Sequence, residues 1–115
     1  MIEIVWEIVA RLEAQGQLEL VYGPGGAWGR LFGKAPGFRG TTLLHDIHNP
    51  RRYLIIDLWD TEAQREQALR DDADEYTRLE ADLEGWTESR VEVGAFRLRA
   101  DATVRPRGKP GRRSR

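Results

Sequence analysis

The chain has 115 residues, 40% of them hydrophobic, with a formal net charge of −1: one domain's length, enough apolar content for a modest core, and not the composition of a disordered chain. It has no cysteine, which excludes disulfides, thiol nucleophiles and thiolate metal sites, and only two histidines, which leave little for zinc. The longest stretch without a charged residue is the ten-residue run Leu20 to Gly29, far short of a membrane span, and no basic-then-apolar leader opens the sequence, so a cytoplasmic protein is expected.

Ile2 to Val9 alternates Ile2, Ile4, Trp6 and Ile8 against Glu3, Val5, Glu7 and Val9, the period of a first strand. Arg11 to Val21 can form a helix, weakened by Gly16, which Gly23-Pro24-Gly25-Gly26 must break. Ala27, Trp28, Leu31 and Phe32 then fall at helical spacing, with a stop near Pro36-Gly37. Phe38 to Ile47 reads as a second strand and Arg52 to Asp60 as a third, joined by the turn His48-Asn49-Pro50-Arg51 into a hairpin. Thr61 with Gln64 fits a capping box that starts a helix, Asp72 with Glu75 offers a second start, and Tyr76, Leu79 and Leu83 form an apolar stripe suited to core packing. Gly85 is expected to end that helix, and Trp86 to Leu98 to form the fourth strand. Residues 1–98 thus make one folded domain. Residues 97–115 carry +7 and the remainder −8. The Pro- and Gly-containing basic tail, 99–115, is expected to be flexible from about Ala100 onward. It serves either as a solubilising counterweight to an acidic body or as an electrostatic hook for nucleic acid or an acidic partner.

The order strand, helix, strand, strand, helix, strand is the ferredoxin-like βαββαβ plan, an α+β fold with an antiparallel sheet and helices on one face. Within it, Tyr53 to Trp59 is the most informative stretch. Leu54, Ile56 and Leu58 make an aliphatic face suited to packing under the helices. Tyr53, Ile55, Asp57 and Trp59 make a mixed face, expected together with Trp6 to line a cavity on the other side. Leaving that much aromatic surface in water costs about 25 cal/mol per Å², which a second copy packed sheet to sheet would avoid.

Across residues 2 to 96 the chain resembles the antibiotic biosynthesis monooxygenase family of the dimeric α+β barrel superfamily. The resemblance is carried by Tyr22-Gly23-Pro24 with Gly26 and Trp28, Leu31-Phe32, Pro36-Gly37-Phe38, Gly40-Thr41 and Leu43-Leu44. It continues through Asn49-Pro50, Arg52-Tyr53-Leu54, Asp57 with Trp59, Tyr76 with Leu79, and Glu92 with Gly94 and Phe96. The resemblance implies a homodimer whose two sheets close into a barrel, with a cavity for a small aromatic molecule in each subunit. It also implies, among several chemistries on one scaffold, a monooxygenase that uses molecular oxygen without metal or flavin. Trp59 matches a Trp that recurs in anthrone oxygenases and haem-degrading members. The Asn and Tyr that accompany it in anthrone oxygenases are not matched, because Ile55 and Arg65 stand at those positions. Haem degradation is disfavoured, because residues 61–84 hold no histidine to serve as the axial ligand.

Asp57 is the best acid or base in the chain. Burial would raise its pKa toward that of a useful base, although a carboxylate paired with an Arg or capping a backbone amide would look the same in sequence. Trp59 either stacks on a flat substrate or fills the barrel. Tyr53 either hydrogen-bonds a substrate carbonyl or is satisfied within the protein. Trp6 packs in the core by default, with a pocket role as the lesser reading. Tyr22, Trp28 and Phe32 flank the glycine-rich break, where the resemblance places the cavity mouth; a packed helix pair is the rival. His45, Asp46 and His48 at a hairpin end lack the further ligands a metal needs, and the glycine run lacks the Lys of a phosphate loop. Neither metal nor cofactor is expected. The leading function is therefore a cofactor-free monooxygenase of a planar anthrone- or quinol-like molecule, with Asp57 as base. The alternatives are a non-catalytic small-molecule-binding or stress-related dimer of the same fold, and nucleic-acid binding through the tail. The last is disfavoured by the lack of the aromatic motif of ferredoxin-like RNA-binding modules.

Overall fold

The computed structural model describes residues 1–99 and 106–107, so the basic tail lies almost wholly outside the described residues. Four strands, β1 (Ile2–Ala10), β2 (Phe38–His45), β3 (Arg52–Trp59) and β4 (Thr87–Arg97), form one antiparallel sheet in the order β2-β3-β1-β4. Between β1 and β2 run α1 (Gln15–Tyr22) and α2 (Ala27–Phe32); between β3 and β4 run α3 (Glu62–Asp71) and α4 (Ala73–Trp86). This is the ferredoxin-like α+β plan. The helices cover one face, and the core lies between them and the inward side chains of the strands.

Local chemistry explains most of the boundaries. Thr61 caps α3 by accepting from the Gln64 amide at 3.2 Å. The hairpin turn is held by Asp46, whose Oδ1 accepts from the amides of His48 and Asn49 at 2.8 and 3.1 Å, so β2 stops at His45 and not at Ile47. α1 starts at Gln15, four residues later than expected, because the chain first turns through Glu13 at a positive φ of 83°. Gly85 does not end α4: the helix runs on to Trp86, and the expected first residue of β4 is helical.

One irregularity decides the geometry of the site. In β2, Phe38 pairs with Trp59 and Gly40 with Leu58, leaving Arg39 as a bulge. Gly40 accommodates it at φ 130°, a conformation that favours glycine. The extra residue turns Phe38 and Thr41, three apart in sequence, onto the same face of the sheet, opposite Trp59 and Asp57.

The faces of β3 are assigned opposite to the expectation. Tyr53, Ile55, Asp57 and Trp59 are buried beneath the helices, and Leu54, Ile56 and Leu58 lie half-buried on the uncovered side. Ile4, Trp6 and Ile8 of β1 share the covered face, in register with Asp57, Ile55 and Tyr53. The physical reason is twofold. Two aromatic rings and an isoleucine bury more apolar area than two leucines and an isoleucine. The Asp57 carboxylate and the Tyr53 hydroxyl also find partners there, which lowers the usual penalty for burying them.

Candidate active site

Asp57 stands at the centre of this covered face, 3% exposed. Its Oδ1 accepts from Trp28 Nε1 of α2 at 2.8 Å and from Thr41 Oγ1 of β2 at 2.7 Å. Burial pushes the carboxyl above its usual range. The hydrogen bonds from Thr41 and Trp28, the charge of Arg65 on α3 and the nearby indole of Trp6 pull in the other direction without reversing the shift. A carboxylate fixed by two donors and destabilised by dehydration is a competent proton acceptor. Among the described residues it neither pairs directly with an Arg nor caps a backbone amide, the two structural roles the sequence left open.

Around Asp57 the rings form a continuous box. Trp28 meets Trp6 edge-on at 6.2 Å between centroids, Tyr22 at 5.1 Å, Phe32 at 4.9 Å and Tyr76 at 6.1 Å. Phe32 continues to Trp59 at 5.8 Å, and Phe38 packs on Trp59 at 5.1 Å and on Phe32 at 6.1 Å. Such offset and edge-on pairs contribute about 0.5–1.5 kcal/mol each beyond their area. The space beside Trp59, expected to hold a chamber shut by a second subunit, is therefore occupied by the chain's own Phe32 and Phe38.

Arg90 of β4 reaches into the box from the far edge. Its guanidinium carbon lies 4.2 Å above the Trp6 ring centroid and 5.6 Å from that of Trp28. Nη1 donates to Glu80 of α4 at 2.8 Å and Nε to the Tyr22 hydroxyl at 3.4 Å. Burial works against the Arg90 charge, but Tyr22 and Glu80 more than offset it and hold its pKa above the usual value. Burial also pushes the Tyr22 phenol up to about 12, despite Arg90. Among the described residues two buried nitrogens here lack a partner within normal hydrogen-bond geometry, Trp6 Nε1 and Arg90 Nη2, although Trp6 lies near enough to the Asp57 carboxyl, and Arg90 to the Tyr76 hydroxyl, to act on them.

The structure thus brings together Asp57, Trp59, Trp6, Tyr22, Trp28 and Phe32. It separates Tyr53, four residues along β3 from Asp57, about 13 Å at strand spacing. The Tyr53 hydroxyl donates to Glu19 at 2.7 Å and its ring stacks on His45 at 4.5 Å; burial, then Glu19, raise its pKa. His45 itself lies against the Pro50 carbonyl at 2.7 Å, and Asp46 is engaged by Arg52 at 3.1 Å. Sequence reasoning missed Thr41, Phe38, Tyr76 as a ring of the box, and Arg90. Thr41 was findable, because hairpin pairing sets it across from Asp57. Arg90 was not, since nothing in its surroundings along the chain marks it as inward.

No protein-family model matches the sequence, and no curated protein matches it. Solved structures do match. SnoaB, a cofactor-independent oxygenase from Streptomyces nogalater, superposes with a TM-score of 0.65 at 21% identity, covering 85% of this chain and 92% of its own. A provisionally named antibiotic biosynthesis monooxygenase from Bordetella bronchiseptica gives 0.68 at 21% identity over 84% and 95% of the two chains. One from Deinococcus radiodurans gives 0.66 at 14% identity over 94% and 100%. Among the described residues no helix is long and apolar enough to cross a membrane. With its strand order, its one-sided helices and these superpositions, the chain has the fold of the antibiotic biosynthesis monooxygenases.

Proposed function

We propose that this chain is a cytoplasmic, homodimeric member of the antibiotic biosynthesis monooxygenase family that oxygenates a planar phenolic or anthrone-like molecule with molecular oxygen and no cofactor. The observation that carries the proposal is the buried Asp57 carboxylate, fixed by Trp28 and Thr41 inside a box of aromatic rings. The likeness to a cofactor-independent oxygenase supports it. Asp57 takes a proton from the activated methylene of the substrate, and the carbanion so formed is electron-rich enough to reduce oxygen directly. One oxygen atom stays on carbon as the new carbonyl and the other leaves as water, so the methylene is oxidised and O₂ fully reduced. Trp6, Tyr22, Trp28, Phe32 and Trp59 supply flat apolar walls, and the substrate enters by displacing rings that now fill the box. Tyr53, its proton engaged by Glu19, supports β3 from a distance. The partner copy packs on the uncovered sheet face.

Oxygen uptake with anthrone, compared between wild type and Asp57→Asn, tests the mechanism. General-base loss should slow the reaction by about 10²–10⁴-fold; equal rates would remove Asp57 from it. Tight binding of anthrone without oxygen uptake by the wild type would leave a non-catalytic binder in its place.

A further inference from the structure

We infer that Trp6 Nε1 and Arg90 Nη2 form a two-donor site for a ligand oxygen that becomes anionic: the phenolate or enolate oxygen of the molecule whose proton Asp57 accepts. The inference rests on the reading of Asp57 as a base and adds the group that holds the other product of the proton transfer.

Buried donors in folded proteins are almost always paired, yet these two make no hydrogen bond among the described residues, and their side chains are stacked on each other. The Arg90 guanidinium is stacked 4.2 Å over the Trp6 ring, and both Trp6 Nε1 and Arg90 Nη2 are buried without a partner. Trp6 is 7% exposed and Arg90's side chain 12%. Three other donors of the cluster are committed: Trp28 Nε1 and Thr41 Oγ1 to Asp57, and Arg90 Nη1 to Glu80. Trp6 lies close enough to Asp57 to act on its carboxyl. An oxygen accepting from Trp6 and Arg90 therefore sits beside the proton acceptor. Arg90 also belongs to the wall of a recess of about 560 Å³ at the α4–β4 edge, lined with Thr77, Glu80, Thr87 and Ser89.

The step balances without a redox partner. The ligand's O–H bond, or the C–H bond next to its carbonyl, breaks; the proton goes to Asp57, which becomes neutral; the electron pair stays on the ligand and its charge collects on the oxygen facing Trp6 and Arg90. The ionisable groups that face this site are Tyr22 from α1, Arg65 from α3, Tyr76 and Glu80 from α4 and Asp57 from β3. The cation of Arg90, with Arg65 behind Asp57, favours an anion there over its neutral parent.

Alizarin, a flat hydroxyanthraquinone whose visible absorption changes when it loses a phenolic proton, is the probe. Wild type should bind it as the phenolate at a pH where the free dye is neutral. Trp6→Phe and Arg90→Lys, each removing one donor, should weaken binding by about tenfold, close to 1.4 kcal/mol, and shift the bound dye back toward its neutral spectrum. Unchanged affinity and spectrum in both variants would overturn the inference, as would failure of the wild type to bind. A second measurement needs no folded variant: in the wild type, the Trp6 indole N–H proton resonance should move downfield on adding alizarin, and an unmoved resonance also counts against the site. Ionised binding without oxygen uptake from anthrone would retire the oxygenase reading and leave this one standing. Oxygen uptake that neither substitution affects would do the reverse.

Discussion

The two faces of the sheet carry different apolar side chains and solve different problems. Beneath the helices lie Trp6, Tyr53, Asp57 and Trp59, each of which carries a polar atom, all at 7% exposure or less. On the other face lie Val5, Leu54, Ile56 and Leu58, only half-buried, with Val91 and Phe96 about half exposed at 54% and 51%. The face with the polar groups is the buried one because the helices and β2 deliver partners to it: Trp28 and Thr41 for Asp57, Glu19 for Tyr53. Among the described residues no element covers the plainer face. Burial here follows the larger rings and the partners offered from above together. On the open face Arg52, at the hairpin end, holds Glu7 of β1 at 2.7 Å.

The sharpest way to break the comparison is to damage the covered face where it is densest. Trp28→Ala removes a ring packed on four others and a donor to a buried carboxylate, and should destabilise the chain by about 3–5 kcal/mol in urea or thermal unfolding. A loss under 1 kcal/mol would mean that the box is not cohesive. On the open face the expected effect lies in assembly. Ile56→Glu should leave the folded subunit intact but weaken the proposed dimer by at least tenfold, about 1.4 kcal/mol, seen as monomer in sedimentation; an unchanged mass would place the seam elsewhere. The smallest effect separates the faces by pH. Because burial raises the folded pKa of Asp57, the folded state binds its proton more tightly than the unfolded chain, whose aspartate titrates near 3.9. Stability therefore falls as pH rises from about 3.9 through the raised folded value. Asp57→Asn, which cannot ionise, should gain in Tm relative to wild type as pH rises across that window. A difference that stays constant with pH would contradict the raised pKa.

Strand period and turn chemistry made the element order readable, as did the Thr61 cap, and Asp57 could be singled out because a lone carboxylate stands among apolar neighbours. What alternation cannot say is which of two faces meets the helices, since it fixes only that there are two. A better clue was available in β1. Its inward set, Ile4, Trp6 and Ile8, is wholly apolar, whereas Glu3 and Glu7 oppose Leu58 and Leu54 in register. The bulge at Arg39 was harder to see, because strict alternation sends Phe38 and Thr41 to opposite faces; only Gly40 hinted at a break. Arg90 was beyond reach: it lies on a strand whose own alternation is weak, and its inward turn depends on Tyr22 and Glu80, which are distant in sequence or on a neighbouring element.

The seating of α2 also bears on how this protein could be reshaped. At Gly26 a methyl group would collide with the carbonyls of Leu20 and Val21, so the entry to the six-residue helix rests backbone against backbone on the end of α1. The start of the segment is thus seated by bare backbone, while Trp28, Leu31 and Phe32 carry its buried side chains into the core. Any side chain at position 26 would push α2 off the end of α1 and shift those three together.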